Sequence, residues 1–125
     1  GTDVTLVTWG AQVKETLEAA EALAKDGISA EVIDVATLKP YDFATIQESV
    51  ARTGRCVIVH EAPRTAGVGA EIAANLADAG LYSLSAPVQR VTGYDTHIPL
   101  FRLEMKYLPS VEKIVAAAKA VAYRK

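Results

Sequence analysis

Three side chains that could move protons or form ion pairs lie close together in the middle of the sequence. His60, Glu61 and Arg64 fall within five residues, directly after a run of apolar residues typical of a strand. In a parallel sheet, ligands bind at the carboxyl ends of the strands, so these side chains could polarise a substrate, pair with one another or line an interface. The alternative interpretation is a surface loop held by an ion pair.

Two glycines follow this cluster in the segment Gly67-Val68-Gly69-Ala70. The segment is similar to the start of a dinucleotide-binding fingerprint, but a long loop separates it from its strand, and no acidic partner for a ribose follows it. We therefore interpret both glycines as loop and helix-entry positions, where backbone freedom is needed.

The remaining reactive side chains do not form a site. Cys56 begins an apolar strand and is interpreted as a small buried residue with an inert thiol. His60 and His97 lie far apart in the sequence and lack the companions that a metal site needs. We therefore assign no catalytic, cofactor-binding or metal-binding residue.

The sequence alternates between patterns typical of strands and of helices, and these predicted elements would position the residues above. Short apolar runs predict strands at residues 4–9, 30–35, 56–60 and 88–92. Helical patterns predict helices over 11–26, from the cap Asp42 to Gly54, over 70–79, and after the cap Ser110. The repeated strand–helix–strand order predicts an α/β fold, a three-layer α/β/α sandwich with a mainly parallel sheet, in a single domain over 1–125.

Helical periodicity also predicts which side chains face the core. The first helix is expected to bury Val13, Leu17, Ala20 and Ala24, and to end at Gly27 in a left-handed conformation. The last helix is expected to bury Ile114, Val115, Ala118, Val121 and Ala122. Residues 93–109 have no clear period and are predicted to be irregular.

The composition narrows the classes of function. The chain has 125 residues, half of them hydrophobic, and 13 Lys and Arg against 15 Asp and Glu give a net charge of −2. That balance favours neither nucleic acid nor an anionic membrane as a partner. We also expect few clustered cations, so a diphosphate would meet little favourable electrostatic field. A single cysteine and the lack of a long apolar run predict a cytoplasmic protein.

Five stretches of the sequence, in order, carry a family resemblance. They are SAEVIDV with TLKP at 29–35 and 37–40, ESV with TGR at 48–50 and 53–55, VHEAPR at 59–64, GAEI at 69–72 and APVQRVTGYDT at 86–96. Together they resemble the transketolase-like C-terminal domain of the beta subunit of thiamine-diphosphate-dependent 2-oxo acid dehydrogenases. The segments at 60–63 and 93–96 favour the branched-chain enzymes, and the pyruvate and acetoin enzymes are the alternatives.

The resemblance implies that the domain supplies scaffold, subunit interface and docking surface to an enzyme that decarboxylates a 2-oxo acid and transfers the acyl group to lipoyl groups. The candidate interface residues are His60, Glu61, Arg64, Tyr94 and Asp95. The implied partners are an alpha subunit and a second beta subunit in a heterotetramer, and the subunit-binding domain of the lipoyl acyltransferase. In a eukaryote the implied location is the mitochondrial matrix.

The same resemblance implies that thiamine diphosphate and Mg²⁺ bind the intact enzyme, while this domain alone binds neither and is inactive. The family sheet has five strands, the first antiparallel, and the chain is expected to begin at the second as a fragment of a longer beta subunit. Four parallel strands would then remain, with the strand at 30–35 at an edge. The competing hypothesis is a free-standing α/β module that binds a small ligand at its strand ends.

Overall fold

A four-stranded, wholly parallel sheet lies at the centre of the computed structural model, which describes residues 1–123. The strands are β1 (Val4–Thr8), β2 (Ala30–Asp34), β3 (Cys56–Pro63) and β4 (Gln89–Gly93), in the order β2-β1-β3-β4. The predicted parallel sheet is confirmed, and β2 forms one edge of it as expected.

Helices cover both faces of the sheet, which confirms the three-layer α/β/α sandwich. The helices are α1 (Val13–Lys25), α2 (Phe43–Thr53), α3 (Val68–Gly80), α4 (Glu104–Tyr107) and α5 (Val111–Ala122). Helices α1 and α5 share one buried apolar cluster with the sheet, and α2 and α3 share the other. None of the helices in residues 1–123 combines the length and hydrophobicity needed to cross a membrane.

The central strand β1 is buried along its whole length because it is covered on both faces. Successive side chains of a strand point to opposite faces, so Leu6 packs in the cluster of α1 and α5 while Val7 packs in that of α2 and α3. On the same face as Val7, Thr5 Oγ1 lies 2.8 Å from Ser49 Oγ and 2.8 Å from Thr53 Oγ1 of α2. These hydrogen bonds satisfy polar groups in the interior and fix α2 on the sheet.

The predicted helix ends are confirmed where local chemistry sets them. Asp42 Oδ1 accepts a hydrogen bond from the Thr45 amide at 3.1 Å, and Ser110 Oγ accepts one from the Lys113 amide at 3.3 Å. Gly27 and Gly54 follow α1 and α2 with φ of +77° and +70°, a conformation that favours glycine.

The predicted inward face of α1 is wrong at Leu17 and Ala24, while Ala20 packs against the core as predicted. The structure buries Thr16, Ala19 and Leu23, whereas Leu17 is 50% exposed and Ala24 lies on the surface. Thr16 can face the core because its hydroxyl donates a hydrogen bond to the Gln12 carbonyl at 2.7 Å. The buried stripe of α1 therefore runs through Thr16, Ala19 and Leu23.

Two further boundaries differ from the predictions. Strand β3 continues three residues past His60 to Pro63, because Pro63 pairs with Gly93 of β4 after an irregularity in the register. The segment predicted to be irregular contains a 3₁₀ turn at Phe101–Leu103 and the short helix α4. In the last helix the predicted face is confirmed, with Ile114, Ala118 and Val121 fully buried.

Candidate functional site

His60 lies inside the protein at the carboxyl end of the sheet, in the strand predicted for residues 56–60, so the alternative of a surface loop does not hold for it. It is only 1% exposed, and its ring stacks on that of Trp9, with centroids 5.2 Å apart and planes 9° from parallel. Because β3 runs on to Pro63, His60 is a strand residue that faces α3. Within residues 1–123 His60 is therefore not part of the exposed surface.

The two glycines after β3 create the space that His60 occupies. A methyl group on Gly69 would lie 2.6 Å from His60 Nε2, and one on Gly67 would lie 3.2 Å from His60 Cε1. Gly67 is the N-cap of α3, so the interpretation as loop and helix-entry positions is confirmed. The reason for glycine at these positions, the contact with His60, was not apparent from the sequence.

The environment of His60 keeps its ring neutral. Burial lowers the pKa of the imidazole below its usual range, and the positive charge of Arg90 lowers it further. Neither ring nitrogen has a hydrogen-bond partner within the described part of the chain. With no adjacent nucleophile or carboxylate bonded to it, His60 is a packing residue in this arrangement.

Arg64 and Arg90 hold each other in place. Arg64 Nη1 donates to the Arg90 carbonyl at 3.0 Å, and Arg90 Nη1 donates to the Arg64 carbonyl at 2.9 Å. Glu61 is exposed, and within residues 1–123 it forms no ion pair with His60 or Arg64. The alternative of a loop held by an ion pair is therefore wrong.

Tyr94 and Asp95 lie beside Arg64 at the end of β4. The Asp95 carboxylate accepts hydrogen bonds from the Thr65 amide at 2.9 Å and the Thr65 hydroxyl at 2.5 Å, and these bonds lower the pKa of Asp95. The Tyr94 ring is 58% exposed and packs edge-on against Tyr107, with centroids 6.4 Å apart. The structure thus brings Arg64, Tyr94 and Asp95 together.

Three cations converge on this corner, contrary to the expectation of few clustered cations. Arg64, Arg90 and Lys113 line an open cavity of about 450 Å³ together with Tyr94 and Asp95. The three come from the end of β3, from β4 and from α5, so no local motif indicates the cluster. We call this cavity the three-cation pocket.

The described residues do not fit thiamine diphosphate with its Mg²⁺. No group of three His, Cys, Asp or Glu side chains in residues 1–123 could hold a metal ion. The three-cation pocket offers positive charge to an anion but only one carboxylate, Asp95. Mg²⁺ requires oxygen ligands in addition to those of a phosphate, so this pocket is not built for the metal complex.

Cys56 matches its prediction as an inert buried residue. It is fully buried at the start of β3, and burial raises the pKa of its thiol to about 12. A thiol with such a pKa is almost entirely protonated at neutral pH and is a poor nucleophile.

An exposed apolar segment follows the three-cation pocket along the chain. Between residues 98 and 105 five apolar side chains are 52–88% exposed, namely Ile98, Leu100, Phe101, Leu103 and Met105. A contiguous exposed patch of this kind is typical of a surface that another protein surface covers. We call it the apolar segment 98–105.

Comparisons with known proteins show which family has this fold. The family described as "Transketolase, C-terminal domain" matches residues 1–114. The chain is 50% identical over 120 residues to the pyruvate dehydrogenase E1 component subunit beta of Staphylococcus epidermidis, and 47% identical over 119 residues to that of Staphylococcus aureus. These alignments cover 96% and 95% of the chain but only 37% of each relative.

A solved structure gives the same architecture. The chain superposes on a split gene transketolase, described as an inactive beta4 tetramer, with a TM-score of 0.85 and 34% sequence identity. The match covers 98% of this chain and 39% of that one.

Proposed function

The chain belongs to the transketolase C-terminal domain family, and from that premise we propose that residues 1–125 are one domain of the beta subunit of a 2-oxo acid dehydrogenase. The observation that carries this proposal is the 50% identity to a pyruvate dehydrogenase beta subunit along 96% of the chain. The chain spans about 37% of the length of these relatives. The activity is therefore proposed for the whole enzyme, to which this domain contributes scaffold and interface.

Thiamine diphosphate would supply the carbanion chemistry of the decarboxylation in the whole enzyme. Because the described residues do not fit the cofactor with its metal, we propose that other parts of the enzyme bind it. The contribution of this domain is then mechanical: a sheet buried on both faces holds the surface at the carboxyl ends of β3 and β4 in a fixed shape.

For the substrate we propose pyruvate, with branched-chain 2-oxo acids as the alternative. The segments at 60–63 and 93–96 favoured the branched-chain enzymes, but the similar relatives above carry the name pyruvate dehydrogenase. Both substrate classes share the 2-oxo acid group and differ only in the side chain, so discrimination depends on the pocket that receives that side chain.

Assays of the assembled enzyme test the function and the substrate together. The full-length beta subunit that contains this segment is produced with its alpha subunit, and CO₂ release is measured with pyruvate and with 3-methyl-2-oxobutanoate. We expect kcat/KM to be at least about tenfold higher with pyruvate, the discrimination that a few methyl groups allow. A preference for the branched substrate would overturn the proposed substrate, and no activity with either would overturn the proposed function.

The isolated chain serves as the control. It is expected to release no CO₂ from either acid, and calorimetry is expected to show no Mg²⁺-dependent binding of thiamine diphosphate. Micromolar binding that Mg²⁺ strengthens would instead favour the free-standing ligand-binding module.

We further propose that the apolar segment 98–105 and the adjoining Glu61, Arg64, Tyr94 and Asp95 contact other parts of an alpha–beta heterotetramer. The segment exposes five large apolar side chains, and about 63% of each relative's length lies outside the match to this chain. Docking of the lipoyl acyltransferase on the same enzyme, and a location in the cytoplasm or the mitochondrial matrix, are parts of this proposal.

A substitution at Phe101 tests the interface. Phe101 is 88% exposed, so Phe101→Ser is expected to weaken assembly of the beta subunit with the alpha subunit at least about tenfold, as loss of an aromatic interface residue does. Assembly is measured by sedimentation velocity over a dilution series. The control is Tyr82→Ser, since Tyr82 is fully exposed but lies outside the segment. Equal effects of both substitutions, or none at Phe101, would contradict the interface.

A further inference from the structure

We propose that the three-cation pocket is a binding site for the phosphate group of a small phosphate monoester. Arg64, Arg90 and Lys113 supply the positive charge, and Tyr94 forms one wall. The site uses only groups of this chain, and it requires that the subunit contacts proposed above leave the mouth of the pocket open.

The two guanidinium groups are held in place, and most of their N–H donors have no partner among residues 1–123. Arg64 and Arg90 each donate one N–H hydrogen bond to the other's backbone carbonyl. An arginine side chain carries five N–H donors in a rigid fork that matches the oxygen atoms of phosphate. The reciprocal hydrogen bonds therefore orient both forks before a ligand arrives, which lowers the entropic cost of binding.

The third cation is fixed by a different set of contacts. Lys113 Nζ donates to the Lys106 carbonyl at 3.2 Å and lies 5.1 Å from the centre of the Tyr94 ring. It also approaches the Leu108 carbonyl at 3.5 Å. These contacts hold the ammonium group at the rim of the pocket beside the aromatic wall.

The charge of the pocket matches a dianion. Within residues 1–123 none of the three cations forms an ion pair with a carboxylate. Among the described residues that line the pocket, Asp95 is the one acid, and the amide and hydroxyl of Thr65 donate hydrogen bonds to it. Three cations against one carboxylate leave two positive charges, and a phosphate monoester carries about −1.5 to −2 at pH 7, whereas a carboxylate carries one charge.

The size of the pocket indicates that the ligand is larger than a phosphate ion. Its volume of about 450 Å³ falls in the range of small-molecule sites, roughly 300–1,000 Å³. The exposed Tyr94 ring offers an apolar surface beside the cations, against which the organic part of a monoester can pack.

Titration of the 125-residue chain with inorganic phosphate tests the proposal. Amide chemical shifts are followed by NMR at constant ionic strength, with acetate as the singly charged comparison. We expect saturable shifts at Thr65, Gly93 and Tyr94, and binding of phosphate at least about tenfold tighter than that of acetate, since each charge-assisted hydrogen bond contributes about that factor. Equal affinity for the two anions would overturn the proposal.

Matched charge-removing variants locate the site. Arg90→Gln and Lys113→Gln are each expected to weaken phosphate binding at least about tenfold. Arg52→Gln and Lys14→Gln remove the same charges elsewhere, where Arg52 pairs with Glu31 and Lys14 lies near Glu18, and are expected to leave binding unchanged. If Arg90→Gln fails to fold, Lys113→Gln provides the test, because the Lys113 ammonium group contacts two carbonyls and the half-exposed Tyr94 ring and lies outside the buried core. Unchanged binding in the pocket variants would overturn the proposal.

Discussion

Leu23→Ala is expected to lower the free energy of unfolding by about 2–5 kcal/mol, while Leu17→Ala in the same helix changes it by less than about 1 kcal/mol. Leu23 is fully buried in the cluster that α1 and α5 share, whereas Leu17 is 50% exposed. The two substitutions remove the same atoms from the same helix, so helix propensity cancels in the comparison. The difference therefore measures the inward face of α1.

Urea denaturation of the two variants and the wild-type chain gives both values. Similar losses at the two positions would show that α1 is rotated from the orientation described here. A larger loss of unfolding free energy for Leu17→Ala would show that Leu17 lies on the inward face, as the hydrophobic pattern predicted.

Gly69→Ala is expected to destabilise the protein by about 1–3 kcal/mol, although alanine favours a helix over glycine by about 1 kcal/mol. The added methyl group would lie 2.6 Å from Nε2 and 2.7 Å from Cδ2 of His60, and 3.2 Å from Cγ2 of Ile58. The buried ring is stacked on Trp9 and has no room to move away. Overpacking therefore outweighs the gain in propensity.

The other end of α3 supplies the control for Gly69. A methyl group on Gly80 would meet only Leu76 Cδ2, at 3.7 Å, so Gly80→Ala is expected to be neutral or stabilising in the same urea experiment. In a His60→Ala background the cost of Gly69→Ala is expected to fall, because the clashing ring is gone. An equal cost in both backgrounds would place the strain away from His60.

The strands and most helix ends could be predicted because their causes are local. Short apolar runs mark β1 and β3, which the sheet buries, and a single side chain, Asp42 or Ser110, caps the helix that follows it. The face of α1 could not be predicted in this way. It depends on Thr16, whose hydroxyl is satisfied by a carbonyl of the preceding turn.

The site was harder to predict because its parts are distant in the sequence. His60 was expected near the surface as a polar residue after an apolar run, but two glycines at the start of α3 let its ring pack inside. The three-cation pocket joins residues from β3, β4 and α5, and its two arginines bond to each other's backbone. Only the folded chain brings these groups together.

Because α1 packs with α5, the two apolar clusters of the core can form only one after the other during synthesis. Helices α2 and α3, which cover one face of the sheet, have both left the ribosome once residue 80 is free. On the opposite face α1 packs with Ala19 and Leu23, but that cluster stays incomplete until Ile114, Ala118 and Val121 of α5 emerge. A nascent chain that stops before α5 therefore carries an exposed apolar surface that chaperones can bind, and the native core closes only after α5 has emerged.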